Sequence, residues 1–193
     1  EAPPEESSPM FRGEPVWVPE EEAGSAELLA GPAAPGKLLE RAYRAANPGT
    51  DKPFSLDALL ASPRPRELEQ LSYTFAVSGL TLAGITHLVR HRMQSVIVPP
   101  IQSVDHSRFI LPDTIRTNPA ALEIYRNALT EANRAARALC EDPALRPYSC
   151  YYAVSGNMMD VMTTLNAREL MLIIRLRTCT RAQWEIRHVA MGL

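Results

Sequence analysis

The stretch Leu71-Ser72-Tyr73-Thr74-Phe75-Ala76-Val77-Ser78-Gly79, running on through Leu80-Thr81-Leu82-Ala83-Gly84-Ile85-Thr86-His87-Leu88-Val89-Arg90-His91-Arg92, decides the fold class. In its first half, Leu71, Tyr73, Phe75 and Val77 alternate with Ser72, Thr74, Ala76 and Ser78. That period of two predicts a half-buried strand, closed by Gly79. In its second half the period lengthens, and Leu82, Ile85, Leu88 and Val89 fall at helical spacing over 81–92. A strand that runs straight into a helix predicts a mixed architecture.

The neighbouring sequence extends this mixture. Upstream, Leu38, Leu39, Ala42 and Ala45 predict a helix from Gly36, stopped by Asn47-Pro48-Gly49, and Ser55 reads as the N-cap of a short helix through Leu60. Downstream, Ser95-Val96-Ile97-Val98 is β-prone and ends at Pro99-Pro100. Asn118 as N-cap and Pro119 at the first helical position open a long helix to about Cys140. A strand is expected near 161–165. Asn166 then starts a helix with Glu169 three residues on, as in a capping box, and Leu170, Ile173, Ile174 and Leu176 supply its core. Residues 181–191 read as a last helix. Strands and helices mix without a βαβ rhythm, so the expected class is α+β.

Composition sets outer bounds. The 193 residues suit one domain, and a net charge of −2 gives no electrostatic reason to expect nucleic-acid binding or attraction to anionic membranes. No apolar run is long enough to span a bilayer and no charged-then-apolar leader opens the chain, so a soluble, cytoplasmic protein is expected. Cys140, Cys150 and Cys179 cannot all pair and lack zinc-like spacing, so neither a disulfide scaffold nor a metal site is expected. The average charge hides an asymmetry: residues 1–30 carry −7 and the remainder +5. Eleven of the 17 prolines lie before residue 66. Residues 1–25 therefore read as an acidic, proline-containing arm, solvated or wrapped on a neighbouring subunit, ahead of a domain at 26–193.

Two polar clusters interrupt the apolar helices. Arg90-His91-Arg92 follows His87, and on a continuous helix His87 and Arg90 share a face. Arginine binds phosphate bidentately, but a solvated helix end explains the same residues. The second cluster is Asn166, Arg168 and Glu169, followed by Arg175 and Arg177 amid Leu170, Met171, Leu172, Ile173, Ile174 and Leu176. A helix this apolar forces some arginines toward partners near the core, either Glu169 and Glu185 or a bound anion. Phosphate-loop, dinucleotide-fingerprint and nucleophile-elbow motifs are absent.

Together these segments resemble the flavin-dependent thymidylate synthases, the ThyX family. The 71–79 strand, His87-Leu88-Val89-Arg90-His91-Arg92, and Asn166-Ala167-Arg168-Glu169-Leu170 with Leu176-Arg177 and Ala182-Gln183-Trp184-Glu185-Ile186-Arg187 carry the likeness over roughly 55–191. The resemblance implies a ThyX-like α+β fold, a twisted and mainly antiparallel sheet flanked by helices, assembled as a homotetramer with sites shared between subunits. It implies FAD, recharged by NADPH, moving a one-carbon unit from methylenetetrahydrofolate to C5 of a uracil nucleoside monophosphate. Carried over by position, Ser72, Arg90, His91, Arg92, Met93, Asn166, Arg168 and Leu172 fall at flavin positions. His87 and Arg90 fall at nucleotide positions. Arg177 matches the arginine near the uracil carbonyl and N3, the catalytic cation.

The chain departs from the family pattern at one loop. The family's glutamate, serine and arginine would fall at Val98, Pro100 and Ile101 or Gln102, and the two prolines remove backbone donors. The family's other nucleotide arginine would fall near Cys150, with Arg146 the nearest candidate. An altered nucleotide pocket is thus expected, with UMP favoured over dUMP and the phosphate met by Arg90, Arg146 or His106-Ser107-Arg108. ThyX-like enzymes of nucleoside-antibiotic pathways methylate UMP, which suits such a chain. A cysteine-dependent synthase lacks a recognisable thiol setting here. The rival reading is a non-catalytic flavin- or nucleotide-binding homologue.

Overall fold

A computed structural model describes residues 13–193. Its centre is an antiparallel sheet in the order β2 (Ser25–Ala30), β3 (Ser72–Thr81), β6 (Met158–Asn166), β4 (Gln94–Ile97). A second, parallel pair joins β1 (Val16–Pro19) to β5 (Arg108–Leu111). The helices are α1 (Pro35–Ala46), α2 (Leu56–Leu60), α3 (Leu82–Leu88), α4 (Asp113–Arg116), α5 (Pro119–Glu141), α6 (Ala167–Arg177) and α7 (Trp184–Gly192).

Several elements form where local chemistry places them. Ser55, Asn118 and Asn166 each accept a hydrogen bond from the backbone N–H three residues on, at 3.3, 3.2 and 2.9 Å, and so cap α2, α5 and α6. On β3 and β6 the inward residues Phe75, Val77, Val161, Thr163 and Leu165 alternate with outward ones. Val77, Leu80, Val161 and Met159 pack with Ile85 and Leu88 of α3 and Ile186 and Val189 of α7 as the main core. Leu39, Leu59, Leu68 and Leu71 form a second cluster that fixes the 55–71 segment beside α6.

The structure corrects three expectations. Gly79 does not close β3: it sits at φ +66° in a register shift between Val77 and Leu80, and pairing resumes at Leu80 and Thr81. Its positive φ is one that a side chain would strain, and its N–H donates to Asp160 at 2.7 Å. The helix expected over 81–92 ends at Leu88. Val89 caps it, His91 N–H bonds the Leu88 carbonyl at 3.1 Å, and Gln94 Nε2 donates to that same carbonyl at 2.7 Å. Arg90-His91-Arg92 is therefore a turn, and His87 and Arg90 do not share a helical face.

The third correction concerns the arm. Residues 16–25 do not run free: Trp17 stacks on Phe109 at 5.4 Å, Arg126 of α5 lies 5.5 Å above Trp17, and Val18 and Ala23 are buried. An apolar island within an acidic segment finds a parallel partner in β5, which composition averaged over the segment conceals. The part of the expected arm before residue 13 lies outside the described residues.

Candidate functional site

β3 and β6 bring together residues far apart in sequence. Ser72 pairs with Asn166 in register, and Ala167 N–H bonds the Leu71 carbonyl at 2.8 Å, which fixes the start of α6 against the entry to β3. Beside this junction lies a cavity of about 500 Å³ lined by Leu60, Pro63, Pro65 and Glu69 from the preceding segment, Met93 before β4, Asn166 at the end of β6, and Arg168, Glu169, Met171, Leu172 and Arg175 of α6. Of the flavin positions expected from the sequence, Met93, Asn166, Arg168 and Leu172 converge here. Ser72 lies at the rim through its pairing with Asn166. The walls are in part apolar, with Met93 67% exposed and Leu172 44% exposed, while Arg168 and Arg175 bring cations. Apolar walls beside guanidinium groups at a helix N-terminus fit an aromatic ring system carrying phosphate.

Arg168 is held by Glu69, whose carboxylate accepts from its Nη1. That bond, with Arg66 as a second cation 3.6 Å away, lowers the Glu69 pKa. Glu69 was not singled out in the sequence. The available signal was an acidic residue directly ahead of the 71–79 strand, but its partner lies 99 residues on.

A second group lies along α6. His91, only 7% exposed, is bound on both ring nitrogens: Arg177 Nε donates to Nε2 at 2.9 Å, and Nδ1 meets Glu169 Oε1 at 3.3 Å. Because a guanidinium only donates, Nε2 must be unprotonated, so the neutral ring carries its proton on Nδ1 and donates it to Glu169. Burial and the adjacent Arg177 charge lower the His91 pKa, against Glu169, which works to raise it. His91 is thus engaged inside the chain through both ring nitrogens. Glu169 appears as its buried partner as well as a cap-turn residue.

The remaining candidates are dispersed. Arg90 and Arg92 are exposed on the turn flanking His91, and His87 is half-buried at the end of α3. Arg146 is exposed beyond α5, its Nη2 donating to the Cys140 carbonyl at 3.4 Å, and it does not line the cavity. His106 and Ser107 are each 1% exposed, and Asn133 of α5 bonds the His106 carbonyl at 2.8 Å, so neither meets an external phosphate. Burial also lowers the His106 pKa. The three cysteines are free thiols; Cys150 and Cys179 bond local carbonyls. Among the described residues no helix is long and apolar enough to cross a membrane.

Residues 28–193 match the family model described as thymidylate synthase complementing protein. The chain belongs to that family. Among relatives of the thymidylate synthase complementing family, it is 29% identical over 142 residues to the flavin-dependent thymidylate synthase of Geobacter sulfurreducens, covering 72% of this chain and 61% of that protein. It is 34% identical over 129 residues to that of Sulfurisphaera tokodaii, covering 64% and 49%. The chain thus spans about half to three fifths of the length of these relatives. In fold it is similar to the UMP/dUMP methylase PolB of Streptomyces cacaoi bound with 5-Br UMP, with TM-score 0.74 at 20% identity over 93% of this chain and 89% of that one. It is also similar to ThyX of Helicobacter pylori with FAD and dUMP, with TM-score 0.59 at 18% identity over 88% and 90%.

Proposed function

We propose that this protein methylates C5 of a uracil nucleoside monophosphate in a flavin-dependent reaction, with UMP favoured over dUMP, methylenetetrahydrofolate as one-carbon donor and NADPH as reductant. The observation that carries this reading is the α6 arrangement: a cavity with apolar and charged walls, with Arg168 and Asn166 at one end of the helix, and an internally anchored Arg177 at the other. Membership of the thymidylate synthase complementing family supports it.

In this reading Arg168, steadied by Glu69, and Asn166 hold the pyrophosphate of FAD, while Met93 and Leu172 flank its aromatic ring and Ser72 borders the rim. When bound, the reduced flavin supplies the reducing equivalents and the means of one-carbon transfer. Arg177 faces the uracil carbonyl and N3 and stabilises negative charge gained by the ring, a role for a fixed cation excluded from bulk water. Arg90 and Arg92 are exposed, so they meet flavin or nucleotide phosphate where a second copy of the chain closes over them, with His87 alongside. Arg146 reaches the nucleotide only across such an interface. This is why we propose a homotetramer with shared sites.

To test the reading, UMP and dUMP are supplied separately with methylenetetrahydrofolate, NADPH and FAD, and the base is analysed for a C5 methyl group. Methylation of at least one is expected; methylation of neither overturns the proposal. The apolar 97–103 turn favours one second reading, a flavin- and nucleotide-binding homologue without turnover. It is distinguished by bound flavin whose reduced form is not oxidised when nucleotide and methylenetetrahydrofolate are added.

A further inference from the structure

Glu169 and Arg177 sit eight residues apart on α6, about 12 Å along its axis, too far for a direct bond between a carboxylate and a guanidinium. His91 fills the interval from another element, the turn between α3 and β4, at 3.3 Å from one and 2.9 Å from the other. Side chains on a helix lean toward its N-terminus, so Arg177 folds back toward this imidazole. The result is a chain of two hydrogen bonds, from Arg177 Nε–H to His91 Nε2 and from His91 Nδ1–H to Glu169 Oε1, with a buried carboxylate at one end and a cation at the other.

We propose that Glu169 and His91 are positioning residues for Arg177. They grip the guanidinium by its Nε and leave its Nη edge, which makes no hydrogen bond to another described residue, directed at the reacting base. Two features separate this from simple packing. A buried carboxylate–imidazole pair is costly to maintain when apolar residues fill the same space, so it is expected where it sets orientation. The bond to Nε also leaves intact the two-nitrogen fork with which arginine recognises a planar carbonyl and ring edge. Because Nε2 must stay unprotonated to accept from Arg177, the imidazole holds the cation without itself becoming one.

The proposal rests on the reading of Arg177 as the cation facing uracil, and its test has two arms so that the two ideas fail separately. The first uses the unliganded wild-type protein, labelled with 15N. His91 is expected as the neutral Nδ1–H tautomer, with Arg177 Nε–H slowed in solvent exchange; in Glu169→Ala that exchange quickens. An Nε2–H tautomer or a freely exchanging Arg177 Nε–H overturns the chain, whatever the enzyme does.

The second arm is steady-state turnover at saturating FAD. His91→Ala and Glu169→Ala are expected to lower kcat by about 10- to 100-fold, the loss that follows when a reacting group is misplaced by about 1 Å. Nucleotide KM should move less than about threefold, since ring charge develops in the transition state. Glu169→Gln, which still accepts from Nδ1–H, should lose less than Glu169→Ala. Variants with unchanged kcat overturn the positioning role. A wild type that methylates neither nucleotide sinks the functional reading and the positioning role with it, while the hydrogen-bond chain itself is decided by the tautomer and exchange data of the first arm.

Discussion

Gly84, in the first turn of α3, has no room for a side chain. A Cβ built there lies 2.7 Å from Glu185 Oε1, 2.7 Å from Leu80 Cδ1 and 2.8 Å from Glu185 Cδ. None of these neighbours gives way cheaply. Leu80 is fully buried, and Glu185, at 1% exposure, accepts from Thr81 Oγ1 at 2.6 Å and from Thr81 N–H. Gly84→Ala therefore overpacks the contact, at about 1–3 kcal/mol. Displacing Glu185 from Thr81 costs about 1.5–3 kcal/mol for a bond to a charged group. Better helix propensity returns about 1 kcal/mol. The net is a loss of roughly 1.5–5 kcal/mol, which for a chain of this size lowers Tm by roughly 3–20 °C. Urea titration and thermal melting measure both quantities. Gly36→Ala is the control: nothing lies within 4 Å of its Cβ, so α1 should gain or stay level. A Gly84→Ala protein as stable as wild type would refute the claim that Glu185 is clamped against α3.

Glu185 also predicts a pH dependence. Burial raises its pKa above the ordinary 4.5, against the Thr81 bonds that lower it. The native state then binds more protons than the unfolded chain above pH 4.5, so stability falls as pH rises from there through the raised native value and levels off beyond it. Subtracting urea stabilities of Glu185→Gln, which does not titrate, should reveal that slope; a parallel pair of curves would contradict it. Asn166→Ala, which removes the α6 cap, should cost about 1 kcal/mol in the same assay, with Asn166→Ser nearly restoring it. Arg168→Lys breaks the fork that bridges Glu69 and the cavity, and flavin affinity, read by fluorescence quenching, should fall by about tenfold; unchanged affinity would place the flavin elsewhere.

What was legible in the sequence was local. The caps at Ser55, Asn118 and Asn166 satisfy N–H groups three residues away, so their chemistry lies within one turn of chain. β3 and β6 were visible because each buries one face against a core. β1 and β5 were not, since four-residue strands pair across some 90 positions and neither announces its partner. β2 is mostly exposed and takes its register from β3. The site divides in the same way. Arg168 and Leu172 share one helix and Asn166 caps it, which the sequence marks, and the family resemblance pointed to Met93. The Glu69–Arg168 and His91–Arg177 bonds span 99 and 86 residues and exist only once the sheet aligns Leu71 with Ala167. His106 and Ser107 failed as candidates for the converse reason: a polar triplet in sequence says nothing about the helix that covers it.

The 97–103 turn bears on how sharply the two nucleotides can be told apart. Ser103 is turned inward on it, because its N–H and Oγ both bond the Pro100 carbonyl, at 2.8 and 2.7 Å. Pro99 and Pro100 have no N–H to offer, and Ile97, Val98 and Ile101 are exposed. Gln102 is its one remaining polar side chain among Val98–Gln102. A wall of this kind admits or resists an added hydroxyl mainly by shape, and apolar pockets discriminate such isosteres by only about 100-fold, whereas sites built to hydrogen-bond the hydroxyl reach about 10,000-fold or more. If the proposed reaction holds and this turn borders the ribose, kcat/KM for UMP should exceed that for dUMP by no more than about 100-fold. Competition assays with both nucleotides in one mixture measure that ratio directly. A preference above about 10,000-fold would mean that a buried hydrogen-bonding group reads the 2′ position, and the turn would then have no part in specificity.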